Sequence, residues 1–172
     1  RAMSCVNWLP KSRMRSVCSV PPETAVVQAP GHGVNARICA LIAACAPDAR
    51  IIMLKCFDSD LSMDGEAAVR ALYAAVDEYG ADIVNMSWTV DEESEALREA
   101  IRYAVGRGVV LVASAGNLGA AAVGAPVYPA AWSGVIGVAG VRLEEDASPA
   151  RSLWYLAGDW VDLCASGEYE GE

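Results

Sequence analysis

The chain has 172 residues, 54% hydrophobic and 20% charged, which suits a single globular domain with a buried core and excludes a disordered chain. Its 22 acidic residues outnumber 13 basic ones, and the resulting net charge of -9 would repel a phosphate backbone or an anionic membrane face, so neither nucleic acid nor a membrane is expected as a partner. No uninterrupted apolar run approaches the roughly 18 to 20 residues of a membrane span, and the amino end lacks the apolar stretch of a signal peptide.

Cysteine usage narrows the chemistry further. Cys5, Cys18, Cys39, Cys45, Cys56 and Cys164 form no C-x-x-C pair and have no histidine at ligand spacing, so no metal is expected, and no cofactor. Cys39, Cys45, Cys56 and Cys164 sit in apolar stretches of the kind that hold buried free thiols. This usage favours a reducing, cytoplasmic compartment; secretion would require a leader removed ahead of Arg1.

Residues 1–30 are the least regular stretch, with Pro10, Pro21, Pro22 and Pro30 and a basic cluster at Lys11, Arg13 and Arg15 that reads as a solvated face. They predict loop with at most one short strand, ahead of a core over 31–172. Gly31-His32-Gly33 then brings the sole histidine, the one side chain whose ordinary pKa suits acid–base work near neutrality. From Gly33 a dense run of small and apolar residues up to Pro47 predicts a helix buried on nearly all sides. Ile51-Ile52-Met53-Leu54 predicts a short strand buried on both faces.

A second helix is expected from about Asp64 to Tyr79, with Val69, Leu72, Tyr73 and Val76 inward and Gly80 closing it. Strand Ile83–Ser87, helix Glu92–Val105 with Leu97, Ile101, Ala104 and Val105 inward, and strand Val109–Ala113 follow, then strands over Val135–Val141 and Val161–Ala165. Strands alternating with helices across short connections predict an α/β domain, a parallel sheet covered by helices on both faces. Such sheets place their sites beyond the carboxyl ends of the strands, which here means Ser87-Trp88-Thr89 and Ser114-Ala115-Gly116-Asn117. Gly31-His32-Gly33-Val34-Asn35-Ala36 also matches a G-x-G-x-x-A dinucleotide fingerprint. That reading calls for an acidic residue at the end of the next strand, where Lys55 stands.

Five blocks, taken in order, resemble the subtilisin-like serine peptidases, over residues from about Pro21 to Gly167. Gly31-His32-Gly33-Val34 resembles that family's Gly-His-Gly-Thr block, and Ala46-Pro47-Asp48-Ala49 the turn before its next strand. Ile83-Val84-Asn85-Met86-Ser87 is similar to its Ile-Asn-Met-Ser strand, and Ala113-Ser114-Ala115-Gly116-Asn117 to its Ala-Ala-Gly-Asn segment. Tyr128-Pro129-Ala130 and Val135-Ile136-Gly137-Val138-Ala139 resemble its Tyr-Pro segment and the strand after it. The resemblance implies a three-layer α/β/α fold, a peptide or protein substrate, His32 as general base and Asn117 as oxyanion donor. It makes Ser87, Trp88, Thr89, Ser114, Ala115 and Gly116 the substrate-binding residues.

Departures from the family pattern shape the functional expectation. The family's nucleophile opens a helix in a Gly-Thr-Ser-Met-Ala block roughly twenty residues beyond an Ala-Pro-Gly element. That element corresponds to Ala165-Ser166-Gly167 here, so the nucleophile helix is not among these residues. For the acidic member, the nearest match to Asp-Ser-Gly-Val is Met3-Ser4-Cys5-Val6, while another registration places the aspartate ahead of Arg1; Glu23, the sole acidic residue before His32, reads as surface loop. Where the family has Ser-Leu-Gly-Gly, Ser87-Trp88-Thr89-Val90 puts branched side chains against a substrate strand, with Trp88 either walling a pocket or filling core. Ala44–Pro47 is too short for the family's calcium loop. Two readings follow. One is a serine endopeptidase domain represented by an incomplete chain, its site completed by a further segment or a second chain. The other is a catalytically inactive relative that uses the sheet as a peptide-binding or regulatory scaffold. On either reading these residues alone are not expected to hydrolyse peptides by an Asp-His-Ser mechanism.

Overall fold

A computed structural model describes residues 23–28, 34–57, 64–90, 92–117, 126–143, 149–150 and 158–166. His32 with its flanking glycines, the Met3–Asn7 stretch, Cys5, Cys18 and the basic cluster at Lys11, Arg13 and Arg15 lie outside them. Two compact units emerge, one from Trp8–Ser87 and Ser94–Leu111, the other from Arg1–Asn7, Trp88–Glu93 and Val112–Glu172.

The first unit is built on β1 (Glu23–Gln28), β2 (Arg50–Lys55) and β3 (Ile83–Met86), with helices α1 (Val34–Cys45), α2 (Gly65–Asp77) and α3 (Glu95–Gly106). Thr24, Val26 and Val27 give β1 the branched side chains that suit a pleated surface. It pairs in parallel with β2 from Glu23 opposite Arg50 to Gln28 opposite Lys55, and with β3 from Thr24 opposite Ile83 to Val26 opposite Asn85. The start of β4 (Val110–Ser114) adds a fourth strand, the order being β2-β1-β3-β4, and the Val110 N–H donates to the Asp82 carbonyl at 2.9 Å. The chain therefore leaves β1 for β2 on one side and returns across it to β3 on the other. In open α/β sheets, sites characteristically form beyond the carboxyl ends of the strands that flank such a reversal, here β1 and β3.

Local chemistry fixes the helix starts. Asp64 Oδ1 accepts from the Glu66 and Ala67 N–H groups, both at 3.0 Å, and Ser94 Oγ accepts from the Leu97 N–H at 3.3 Å, so donors that the helices cannot satisfy internally are paired. Gly80, at φ +60°, follows α2 as the sequence predicts. Leu72, Leu97, Ile101, Val84 and Met86 form fully buried core. Across α2 and α3, Tyr73 and Tyr103 pack with ring centroids 5.1 Å apart, and the Tyr103 hydroxyl donates to Asp77 at 2.7 Å, which raises the phenol's pKa.

Burial departs from expectation in identifiable ways. The inward face of α2 is Ala68, Ala71, Leu72 and Ala75, rotated from the predicted stripe; alanines allow close approach, while Tyr73 sits at the rim against Tyr103. On α3 the buried set is Leu97, Ala100, Ile101 and Ala104, and Val105 lies exposed past the edge of that face. Helix α1 is not buried all round: Ile38, Cys39 and Ile42 are half-buried on one side, whereas Leu41 is 43% exposed. Strand β2 stands at the end of the strand order, and Met53 is 56% exposed. An edge strand lacks the second neighbour that would cover it. Glu23, expected in a loop, begins β1 at the strand's amino end.

The second unit contains the end of β4, β5 (Val135–Leu143), β6 (Pro149–Ala150) and β7 (Leu163–Ser166). Strand β7 runs parallel to β5 from Val138 opposite Leu163 to Val141 opposite Ser166, and β6 is a short antiparallel addition that sequence periodicity missed. Gly137 is held by Asp162: its N–H donates to Asp162 Oδ2 at 2.9 Å and its carbonyl accepts from the Asp162 N–H at 2.9 Å. A Cβ at Gly137 would overlap the Trp160 carbonyl.

Three outcomes follow for stability and reactivity. Gly137→Ala is expected to lower unfolding free energy by about 1–3 kcal/mol through overpacking, measured by chemical denaturation. Gly106→Ala, at the end of α3 with open space around its Cβ, should raise it by about 0.4–1 kcal/mol. In iodoacetamide labelling followed by mass spectrometry, among the four described cysteines exposed Cys45 should react first and Cys56 last, because burial, with the Asp64 charge adding, pushes the Cys56 thiol up to about 12. Equal labelling of the two would contradict the described core.

Candidate active site

The best-defined piece of the predicted site is the turn at the carboxyl end of β4, in the second unit. Ala115 has no exposed surface; its N–H donates to the Val138 carbonyl at 2.9 Å and its carbonyl accepts from Trp160 Nε1 at 3.0 Å. Ala115, Ala139 and Cys164 form a small core against which Trp160 and Val161 pack. The Gly116 N–H donates to Ser114 Oγ at 3.2 Å, and Gly116 takes φ +95°, a conformation open to glycine at little cost. Asn117 follows, exposed. The left-handed residue of the turn is thus Gly116, and Asn117 is not needed to supply it.

Ser87-Trp88-Thr89-Val90 falls differently in its two halves. Ser87, after β3 in the first unit, is exposed, and its Oγ accepts from Asn85 Nδ2 at 2.9 Å. Within the second unit Trp88 is only 6% exposed, so of its two expected roles it fills core. Thr89 and Val90 are half-buried. Val90 forms an isolated antiparallel bridge with Tyr128, its N–H donating at 2.8 Å and its carbonyl accepting at 3.3 Å. The Tyr128 hydroxyl donates to Glu93 Oε1 at 2.5 Å, and its ring packs on Trp132 with centroids 4.9 Å apart. The Tyr128–Pro129 peptide is cis. The contributions of Glu93, Tyr128 and Trp160 were not read from sequence; the Tyr-Pro pair was the only local signal for any of them.

His32 follows β1 by four residues and lies outside the described residues. Among the described residues, no group of three or more His, Cys, Asp or Glu side chains could hold a metal ion. Lys55, at the carboxyl end of β2, supplies a cation where a dinucleotide site requires an acid.

Comparison with known proteins agrees with this fold. The chain is 33% identical to thermitase of Thermoactinomyces vulgaris over 128 residues, covering 74% of this chain and 43% of that protein. It is 28% identical to subtilisin BL of Lederbergia lenta over 158 residues, covering 86% of this chain and 55% of the relative. The prenylagaramide maturation protease PagA superposes with a TM-score of 0.65 at 22% identity, covering 84% of this chain and 62% of that one, and shares the fold. Sphericase gives a TM-score of 0.60 at 26% identity, covering 71% and 44%. The chain thus spans roughly half the length of the curated relatives it matches. The Subtilase family model matches residues 22–172, nearly the whole chain, and this chain therefore belongs to the subtilases.

Proposed function

We propose that the chain forms part of a subtilisin-like serine endopeptidase domain that cleaves peptide bonds in protein substrates, with His32 as general base and Asn117 as oxyanion donor. The observation that carries this reading is the turn at 114–117, buried at Ala115, tied on both main-chain sides and ending in an exposed asparagine. Catalysis of acyl transfer depends on donors fixed before charge develops, and a side-chain amide on a rigid turn meets that need.

In this chemistry a serine oxygen attacks the substrate carbonyl carbon while its proton passes to the His32 imidazole. The carbonyl oxygen, now negative, accepts a hydrogen bond from the Asn117 amide; His32 then returns the proton to the leaving amine as the C–N bond breaks. Water repeats the sequence on the acyl-enzyme. The serine and the orienting aspartate are assigned to residues outside these 172, and residues 31–172 to the core of one peptidase domain. Ser87 and Thr89, with Ser114 and Gly116, are assigned to the substrate's path, and the buried Trp88 and Ala115 to its support.

A second reading, an inactive peptide-binding scaffold, draws support from Thr89 and Val90, whose branched side chains replace the family's glycines. One assay separates the two. In the natural protein, with an N-blocked tetrapeptide p-nitroanilide, Asn117→Ala is expected to lower kcat about 100- to 1000-fold with KM little changed, a magnitude established on subtilisin itself. Undiminished kcat in the variant would overturn Asn117 as the oxyanion donor; a natural protein that binds peptides without cleaving them would overturn the peptidase reading in favour of the scaffold.

A further inference from the structure

We propose that Tyr128 and Glu93 form a two-point latch that positions the Trp88–Val90 segment for peptide binding, an inference that rests on the peptidase reading above. Tyr128 grips the segment at Val90 through both main-chain groups of that residue, and at Glu93 through its phenol. The grips are three residues apart on one chain segment and both end on one side chain and its own backbone. Apart from the single bridge at Val90, the described residues 88–90, 92 and 93 belong to no helix or strand, so their course depends on such tertiary ties.

The platform beneath the latch is firm. Val127, Pro129, Ala130 and Trp132 are all buried, the Ala131 N–H donates to the Val127 carbonyl at 2.9 Å, and the Trp132 N–H donates to the Pro129 carbonyl at 3.0 Å. The Tyr128 ring lies against Trp132, which a phenylalanine would do equally well. The hydroxyl is therefore surplus to packing. Its partner is an exposed carboxylate on the segment that leads out of the candidate binding stretch, and a charge-assisted bond of this kind is stronger than a neutral one. Tyr128 and Glu93 are positioning residues on this account: they fix where Thr89 and Val90 lie without touching the reacting atoms.

The test uses the natural protein and an N-blocked tetrapeptide p-nitroanilide. Tyr128→Phe and Glu93→Ala are each expected to raise KM about 3- to 10-fold with kcat within about twofold, as befits loss of one hydrogen bond felt in binding. The double variant should be no worse than either single one, and Glu93→Gln, which keeps an acceptor oxygen, should restore most of the affinity. Hydrogen-exchange mass spectrometry should show faster exchange at Val90 in the first two variants. Unchanged KM in both, or a loss confined to kcat, would overturn the latch. If the unsubstituted protein does not cleave the peptide, the peptidase reading fails instead, and exchange at Val90 alone decides the latch: no change in rate overturns it.

Discussion

Ala115 spends both of its main-chain polar groups inside the protein, its N–H on Val138 of the neighbouring strand and its carbonyl on the Trp160 indole, while its methyl has no exposure. A buried carbonyl deprived of its partner costs about 1–3 kcal/mol, so the position of Trp160 and the course of the β4 turn determine each other. Trp160 is placed in turn by the close approach of its own carbonyl to Gly137 and by the reciprocal bonds between Gly137 and Asp162. The exposed Asn117 is the end of this chain of constraints. Its side chain is presented by a turn in which Ala115 cannot move without breaking its bonds to Val138 and Trp160.

The same economy holds in the strand that leads to the other candidate binding segment. Strand β3 ends at Met86, and Val84 and Met86 anchor it in the core, which delivers Ser87 at the carboxyl edge and then sends Trp88 inward. A tryptophan committed to the core makes the segment after it less free than a glycine pair would be. Thr89 and Val90 are accordingly held by packing and by Tyr128 rather than by backbone flexibility.

Much of this was legible in the amino-acid sequence because local signals agreed with tertiary ones. The helix expected from about Asp64 does begin there, with Asp64 as its cap, and Val84, Met86, Leu97 and Ile101 fall where period 2 or period 3.6 puts them, while the next helix starts after Ser94, past the expected Glu92. Less legible were features decided by neighbours. Composition makes α1 look buried on every side, yet composition cannot say how many elements surround a helix, and Leu41 is exposed. Tyr73 adjoins Leu72 on α2, but the buried face is made by Leu72 with Ala68, Ala71 and Ala75, and Tyr73 lies at its rim. The site shows the same division. Ser114-Ala115-Gly116-Asn117 could be picked out from its place after an apolar strand, whereas Trp160, Asp162 and Glu93 reach their partners across 45, 25 and 35 residues of chain, and nothing local announces such contacts.

The central claim, that this chain supplies the base and the oxyanion donor of a serine peptidase, is tested most directly at the sole histidine of the 172 residues. The measurement is kcat of the natural protein and of its His32→Ala variant on one peptide p-nitroanilide. The account predicts a fall on the order of a million-fold with KM little altered, the size known for loss of the base in subtilisin itself. A variant that still cleaves within about tenfold of the unsubstituted rate would contradict it, because no peptidase loses its general base at so small a cost.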